Sequence, residues 1–173
     1  MQGWTERSAA PGAWTVSNGI LSGARDAGFL YSQRGDYRNF HFRIEARLER
    51  NSLGGQGFRA LYRTLPHGYY VQSDIGRAPP GNKTGSLFIA RDFGEITQLA
   101  GVREVLSPNE WYTQEIVAVD NRITVFVNER RVVDYIDAKN TFASGHVTLF
   151  TASAPIQYRK VEIKELKNAP PGR

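Results

Sequence analysis

Short alternations of apolar and polar residues run through most of the chain and predict β-strands. The clearest one spans His41–Arg50, where the even-numbered positions from Phe42 to Leu48 are apolar and the odd-numbered positions are polar or charged. Successive side chains of a strand point to opposite faces, so this pattern is typical of a strand with one buried and one wet face. No stretch has the period of a long helix, and no internal repeat occurs.

Turns rich in glycine and proline separate these runs at intervals typical of sheet proteins, roughly 8–12 residues. The dipeptide Asp120-Asn121, for example, lies between two alternating runs, Trp111–Asp120 and Arg122–Val127, and predicts a tight hairpin turn. The spacing predicts an all-β fold, a two-sheet antiparallel sandwich or jelly roll. We expect one β-sandwich domain over residues 1–166 and a linker-like tail over residues 167–173.

The stretch Gly57–Asp74 predicts a hairpin with a polar row on each strand. Its strands are Gly57–Arg63 and Gly68–Ile75, joined by a turn at Leu65–Gly68, and a flexible turn, Asn51–Gly57, precedes them. Because side chains alternate between the two faces of a strand, every second residue belongs to one row. The two rows are Tyr70, Gln72 and Asp74 on the second strand and Arg59, Leu61 and Arg63 on the first.

An aromatic residue in phase with an amide occurs again on a later strand, at Tyr112 and Gln114. An aromatic ring can stack on the C–H face of a sugar, while amides and guanidinium groups hydrogen-bond to its hydroxyls. The polar rows therefore predict a sugar-binding face. For most of the other aromatic residues, core packing is the simpler interpretation.

The net charge of +5 does not indicate a nucleic-acid partner, because basic and acidic residues alternate along strands such as Arg43–Arg50. The chain has no cysteine, which excludes disulfides and thiolate zinc sites, and its three histidines lack zinc-site spacing. We assign no metal ligand. Calcium stays open as a cofactor, since loops such as Ser73–Asp74 and Asp134–Asn140 offer oxygen ligands.

No apolar run approaches the roughly 20 residues that a membrane span needs, and the chain shows no secretory leader. It opens abruptly at Met1–Trp4 and ends in the linker-like tail. We therefore expect a domain of a larger protein.

Short motifs form an ordered series over nearly the whole chain: Trp14–Gly23, Tyr37–Phe40, Gly57–Arg63, Gly68–Gln72, Thr84–Phe88, Asn109–Trp111, Ile123–Asn128, Asp134–Asp137, Gly145–Leu149 and Tyr158–Lys164. This series resembles the 3-keto-disaccharide hydrolase domain family. The resemblance implies a jelly-roll sandwich of the concanavalin A-like lectin/glucanase type, an association with carbohydrate, and a periplasmic or extracellular location.

The resemblance also implies cleavage of glycosides that are oxidised at the sugar 3-position. A ketone there acidifies the adjacent C–H bond, so a base can abstract the proton and the glycosidic bond can break by elimination, while nearby groups stabilise the enolate. This chemistry does not need the carboxylate pair of ordinary glycosidases. The chain lacks the Glu-x-Asp-x-x-Glu run of sandwich-fold glucanases.

Arg63 and Gln72 match the family pattern, and four other sites depart from it. The family usually has glutamate at Tyr70, glutamine at Phe150, asparagine at Tyr112 and Asn-Gly at Asn128-Glu129. A tyrosine with its ordinary pKa near 10 is a poor base at neutral pH, but it is a good stacking platform. The exchange at Tyr70 therefore favours binding over catalysis.

Three functions follow as alternatives. The first is a carbohydrate-recognition domain that binds a saccharide or glycan on its concave sheet through Arg63, Tyr70, Gln72, Asp74, Tyr112 and Gln114. The second is an active hydrolase or lyase of 3-keto glycosides with the candidate catalytic residues Arg63, Gln72, Asp74 and Asp134. The third is a structural interaction module of a multidomain protein. A carboxylate within about 5 Å of Arg63 and Gln72 in a concave pocket favours catalysis, and an aromatic groove without one favours binding.

Overall fold

The computed structural model describes residues 2–7, 11–62, 67–91 and 94–167. Within these ranges the chain forms β-strands and no α-helix. The strands are β1 (Trp4–Arg7), β2 (Trp14–Ser17), β3 (Ile20–Gly23), β4 (Gly28–Ser32), β5 (Phe40–Leu48), β6 (Leu53–Ala60), β7 (Gly68–Asp74), β8 (Leu87–Ala90), β9 (Ile96–Ala100), β10 (Trp111–Val119), β11 (Arg122–Val127), β12 (Arg130–Ile136), β13 (His146–Thr151) and β14 (Ile156–Glu165).

The strands form two antiparallel sheets, with seven strands in each. Sheet A has the order β1-β4-β13-β6-β7-β8-β9, and sheet B has the order β12-β11-β10-β5-β14-β3-β2. This architecture confirms the predicted all-β, two-sheet antiparallel sandwich. The predicted hairpin across Asp120-Asn121 is also present, as β10 and β11.

The core lies between the two sheets and follows the alternation of the sequence. On β5, Phe42, Ile44 and Leu48 are almost completely buried, and on β7 Tyr69 and Val71 face them from sheet A. Burying one large apolar side chain stabilises a fold by roughly 1.5–3 kcal/mol relative to leaving it exposed. Since Tyr69 and Val71 point inward, their neighbours Tyr70 and Gln72 point to the outer face of sheet A.

The outer face of sheet B carries interleaved charges. The Glu45 carboxylate forms ion pairs with Arg43 at 3.1 Å, Arg159 at 2.7 Å and Lys160 at 3.3 Å. Much of the basic charge on this face is therefore paired with carboxylates. In the described part of the chain, no helix is long and apolar enough to cross a membrane.

Strand β6 differs from its prediction at both ends. The predicted turn at Asn51–Gly57 is largely strand, because the glycine-rich segment pairs with β7 on one side and β13 on the other. Near the other end, Arg59 has a φ of 48° beside a register shift in the pairing with β13. Its guanidinium is buried and donates to the carbonyl oxygens of Arg38, at 2.8 and 3.1 Å, and Phe142, at 3.2 Å. Arg59 therefore does not share an exposed row with Leu61.

Three predicted features lie wholly or partly outside the described residues. Arg63, Leu65 and Pro66 belong to the stretch 63–66, and most of the predicted tail belongs to 168–173. The position of Arg63 in the polar row of the first hairpin strand, and the turn that follows it, therefore remain predictions.

The turn between β11 and β12 makes a direct prediction about stability. Asn128 and Glu129 have φ values of 48° and 65°, the geometry of a two-residue hairpin turn that favours Asn-Gly. A left-handed conformation costs a non-glycine residue roughly 1–2 kcal/mol, and the greater freedom of glycine in the unfolded chain offsets about 0.4–1 kcal/mol of any gain. We expect Glu129→Gly to raise the free energy of unfolding by about 0.5–1 kcal/mol in urea denaturation.

The control is Glu110→Gly, an exposed position outside the strands whose φ is not positive. That variant should be no more stable than the wild type, because glycine there relieves no strain. Equal effects of the two substitutions would contradict the explanation from turn geometry.

Candidate functional site

A groove with a volume of about 350 Å³ lies on the outer face of sheet A. Its floor is β6, which contributes Leu53, Gly57 and Ala60 to the lining. Gly57, and Gly55 two residues before it, leave this strand without a side chain at two successive outward positions. Gly57 lies opposite Tyr70 on β7 and Thr148 on β13, and Gly55 lies opposite Gln72 and Phe150. Directly opposed residues share a face of a sheet, so the side chains of β7 and β13 form the walls of a trough.

Aromatic rings form most of these walls. On one side, the Tyr70 ring stacks on Phe88, with centroids 5.0 Å apart and an interplanar angle of 6°. On the other side, the ring centroid of Phe29 lies 5.7 Å from that of Phe150 and 5.8 Å from that of Tyr31. The rings of Tyr70 and Phe150 pack edge to face, with their centroids 5.5 Å apart. The groove therefore presents a fixed cluster of rings beside the side-chain-free floor position Gly57.

Tyr70 is the aromatic residue of the predicted polar row that reaches this groove. Burial raises the pKa of its phenol to about 12. The hydroxyl therefore stays protonated at neutral pH and can donate a hydrogen bond. It is not suited to act as a base.

Gln72 lies beside Tyr70 and also lines the groove. Its backbone donates to Ser86 O and accepts from Gly85 N, both at 2.9 Å, and its side-chain amide donates to the carbonyl oxygen of Asn82. These bonds come from one loop, residues 75–86, which follows β7. The loop therefore fixes the direction of the amide.

Asp74 lies on the same face of β7 as Tyr70 and Gln72, but the loop of residues 75–86 covers its side chain completely. Its side chain is 0% exposed; Oδ1 accepts from Lys83 Nζ at 3.2 Å, and Oδ2 accepts from the backbone amides of Ala78 at 2.8 Å and Arg77 at 3.2 Å. A carboxylate enclosed in this way cannot contact a ligand in the groove. This placement corrects the expectation that Asp74 continues the binding row.

Tyr112 and Gln114 lie between the two sheets, away from the groove. They are 4% and 0% exposed. The Tyr112 hydroxyl donates to Ser73 Oγ at 2.8 Å, and Gln114 Nε2 donates to Gln56 Oε1 at 3.0 Å. The expectation that they face a saccharide is therefore corrected, since a polar network inside the core accounts for both. Tyr112 and Gln114 alternate along β10 with the same spacing as the buried residues Ile116 and Ala118. This spacing in the sequence indicates that all four side chains point into the core.

Asp134 lies on β12, the edge strand of sheet B, whereas the groove is on sheet A. It accepts from Arg122 at 2.6 and 2.8 Å and from Arg131 at 3.2 Å. The hydrogen bonds from Arg122 lower the pKa of this carboxyl despite some desolvation. The structure thus does not bring Asp134 together with Tyr70 and Gln72. Arg63 falls outside the described residues.

Sequence reasoning missed several groove residues. His67 lies at the groove, with its ring 4.7 Å from that of Phe142, and Thr148 and Phe150 enter it from β13. The alternating glycines of β6 are the sequence signal for this space, because strand positions without a side chain leave room between the neighbouring strands. Within the described lining, the groove contains no aspartate or glutamate.

The loops considered for calcium use their carboxylates in other ways. Asp74 holds Lys83, and Asp137 accepts from the Tyr69 hydroxyl and from the backbone amides of Lys139 and Thr141. Among the described residues, no three His, Cys, Asp or Glu side chains group together as a metal site would require. As they stand, these donor sets do not fit a calcium ion.

Solved structures share this sandwich. The carbohydrate-binding module CBM66 from Bacillus subtilis superposes with a TM-score of 0.77 at 19% identity, over 95% of this chain and 97% of that one. The exoplasmic/lumenal domain of VIP36, bound to Ca2+ and Man3GlcNAc, superposes with a TM-score of 0.71 at 10% identity, over 98% of this chain and 86% of that one. At these identities the likeness concerns the fold, and it agrees with the predicted lectin-like sandwich.

No curated protein has a sequence that matches the chain. The sequence model of the 3-keto-alpha-glucoside-1,2-lyase-like domain matches residues 1–164. The match covers almost every strand of both sheets, and it confirms the resemblance to the 3-keto-disaccharide hydrolase domain. The chain therefore belongs to the 3-keto-alpha-glucoside-1,2-lyase-like domain family.

Proposed function

We propose that this β-sandwich binds a neutral saccharide in the groove on the outer face of sheet A. The observation that carries the proposal is the glycine floor between aromatic walls. A ring stacks on the C–H face of a sugar, and the absence of a side chain at Gly57 leaves room for the sugar to approach the rings. Gln72 supplies an amide at the same place, and the described lining has no carboxylate.

The size and the relatives support this function. A volume of about 350 Å³ is at the small end of the range for ligand pockets, roughly 300–1,000 Å³, and suits one or two sugar rings. CBM66 is a carbohydrate-binding module, and VIP36 was solved with Man3GlcNAc. Two sites that depart from the family pattern, Tyr70 and Phe150, contact each other in the groove. Both exchanges replace a polar residue with an aromatic one, which favours stacking over proton transfer.

The test is saccharide binding by the wild type and by Tyr70→Ala, with trehalose and 3-keto-trehalose as probes in isothermal titration calorimetry. We expect binding of at least one probe, and we expect Tyr70→Ala to weaken it about 2- to 12-fold, because a lost stacking contact costs about 0.5–1.5 kcal/mol. Tyr70→Phe, which keeps the ring, should bind nearly as well. The matched control is Tyr135→Ala on β12 of sheet B, which should bind as the wild type does.

Absence of binding by the wild type to both probes, or equal binding by the wild type and Tyr70→Ala, would overturn the proposal. Equal losses in Tyr70→Ala and Tyr135→Ala would also count against it, since they would indicate a general effect on folding.

Elimination of a 3-keto glycoside is the second candidate function, and the family match favours it. The reaction needs a base near the C–H bond beside the ketone. Asp74 is enclosed by its loop, Asp134 is paired on sheet B, and the Tyr70 phenol stays protonated. In the titration samples we expect 3-keto-trehalose to remain intact. Catalytic release of free glucose that Gln72→Ala abolishes would instead establish the lyase.

A further inference from the structure

Lys83, in the loop of residues 75–86, forms a buried ion pair with Asp74 at the end of β7, and the proposed binding site does not include this pair. The side chains of Lys83 and Asp74 are 8% and 0% exposed, and Nζ lies 3.2 Å from Oδ1. Burying two charges is costly unless their remaining hydrogen-bonding groups are satisfied. Such a pair in an irregular loop therefore calls for a structural explanation.

The Lys83 ammonium links two oxygen acceptors within this part of the chain. Its ammonium donates to Asp74 Oδ1 and to the carbonyl oxygen of Ala78. Asp74 Oδ2 accepts two backbone amides of the same loop. The Thr84 hydroxyl accepts from the amide of Asp74 at 2.9 Å and donates to its carbonyl at 2.8 Å. Carboxylate and carbonyl oxygens are the ligand types that calcium takes from loops, but calcium gathers about six to eight of them and the ammonium has two here.

The same loop fixes the Gln72 amide in the groove. Asn82, next to Lys83 in the chain, accepts the side-chain amide of Gln72 through its carbonyl oxygen. Lys83 is held on its other side, because its backbone amide donates to Val102 O at 3.0 Å. A displacement of Lys83 would therefore move the acceptor that sets the direction of the Gln72 amide.

We propose that the Lys83 ammonium is the internal cation that orders this loop, and that it positions Gln72 for the ligand. Lys83 is thus a positioning residue. The loop order follows from its own contacts, whereas the effect on the ligand rests on the proposed saccharide function. The proposal also explains why the donor set at Asp74 does not fit calcium.

The experiment compares the wild type, Lys83→Ala, Lys83→Met and the control Lys164→Ala, an exposed lysine on β14. Hydrogen–deuterium exchange of residues 75–86 measures loop order without any sugar, and titration with 3-keto-trehalose measures binding. We expect both Lys83 variants to lose protection in the loop at least tenfold, while the control keeps it. Excess Ca2+ or a chelator should change neither exchange nor melting temperature of the wild type.

Chemical rescue separates the charge from mere packing. Propylammonium replaces the ammonium and the carbons beyond Cβ that Lys83→Ala removes, and n-propanol is its uncharged counterpart. We expect propylammonium, and not n-propanol, to restore protection of the loop. Rescue by both compounds, unchanged protection in Lys83→Met, or protection of the wild type that depends on Ca2+ would overturn the proposal.

Failure of the saccharide function gives a different result. If the wild type binds no sugar but the loop responds to Lys83 and propylammonium as expected, the internal cation stands and the ligand assignment falls. If the wild type binds sugar and Lys83→Met binds it equally well with an ordered loop, the positioning role falls.

Discussion

Replacing Asp137 by asparagine is expected to lower the free energy of unfolding at pH 7 by about 2–4 kcal/mol, a large effect for one polar substitution. Asp137 Oδ2 accepts from the Tyr69 hydroxyl at 2.5 Å and from Thr141 N at 2.8 Å, and Oδ1 accepts from Lys139 N at 3.0 Å. An asparagine keeps one acceptor oxygen and turns the other position into a donor. The new amide N–H group would then point at one of the groups that now donate to the carboxylate, the Tyr69 hydroxyl or the backbone amides of Lys139 and Thr141.

The pKa of Asp137 gives this effect a dependence on pH. Burial alone would raise the pKa, but hydrogen bonds from Tyr69, Thr141 and Lys139 outweigh it and lower the value from 3.8 to about 2. A group whose pKa is depressed in the folded state stabilises the fold above its unfolded pKa. That contribution, about 2 kcal/mol, is lost as the pH falls from about 4 towards 2.

Urea denaturation of the wild type and Asp137→Asn at pH 7, 4 and 2.5 measures both effects. The wild type should lose more stability between pH 4 and 2.5 than the variant does, so the two curves should converge. The matched control is Asp134→Asn, whose ion pairs are solvent-exposed and should contribute about 0–1 kcal/mol. A constant difference between wild type and Asp137→Asn across this pH range would contradict the assignment.

The sequence predicts the fold well where a strand has one apolar and one polar face. β5 shows this most clearly, because its apolar positions all enter the core. The β10–β11 hairpin is equally predictable from the sequence, since its turn dipeptide separates two alternating runs. The glycine-rich start of β6 predicts a turn from sequence, because glycine favours turns and the strand pairing that uses it here depends on tertiary contacts.

The site is less predictable from sequence, for two physical reasons. Strand phase gave the outward direction of Tyr70 and Gln72, but phase cannot show that a loop folds over Asp74. Polarity suggested an exposed Tyr112 and Gln114, but a hydrogen-bonded network lets polar side chains lie between the sheets. Residues that reach the groove from β4 and β13 depend on sheet order, which a single sequence does not reveal.

Replacing Gly55 by alanine is expected to have the largest effect on stability among the variants considered, a loss of roughly 3–5 kcal/mol, because backbone strain and overpacking each cost about 1–3 kcal/mol. Gly55 has a φ of 152°, which side chains rarely allow, and an added Cβ would lie 2.1 Å from the carbonyl oxygen of Val71. That oxygen belongs to the backbone of the neighbouring central strand, so it cannot move aside without breaking the sheet. Glycine at position 55 is therefore a requirement of the fold.

Gly57 provides the matched control, because it lies two residues further along the same strand and lines the groove. Its φ is not positive, and an added Cβ would meet the side-chain oxygen of Thr148 at 2.2 Å, which rotation of that side chain can relieve. We expect Gly57→Ala to cost about 1–2 kcal/mol in urea denaturation and to weaken binding of 3-keto-trehalose, since its methyl group projects into the groove. Equal losses of stability for the two alanines would show that backbone strain at Gly55 does not set the cost. A stable Gly57→Ala with undiminished affinity would show that the sugar does not lie over the glycine floor.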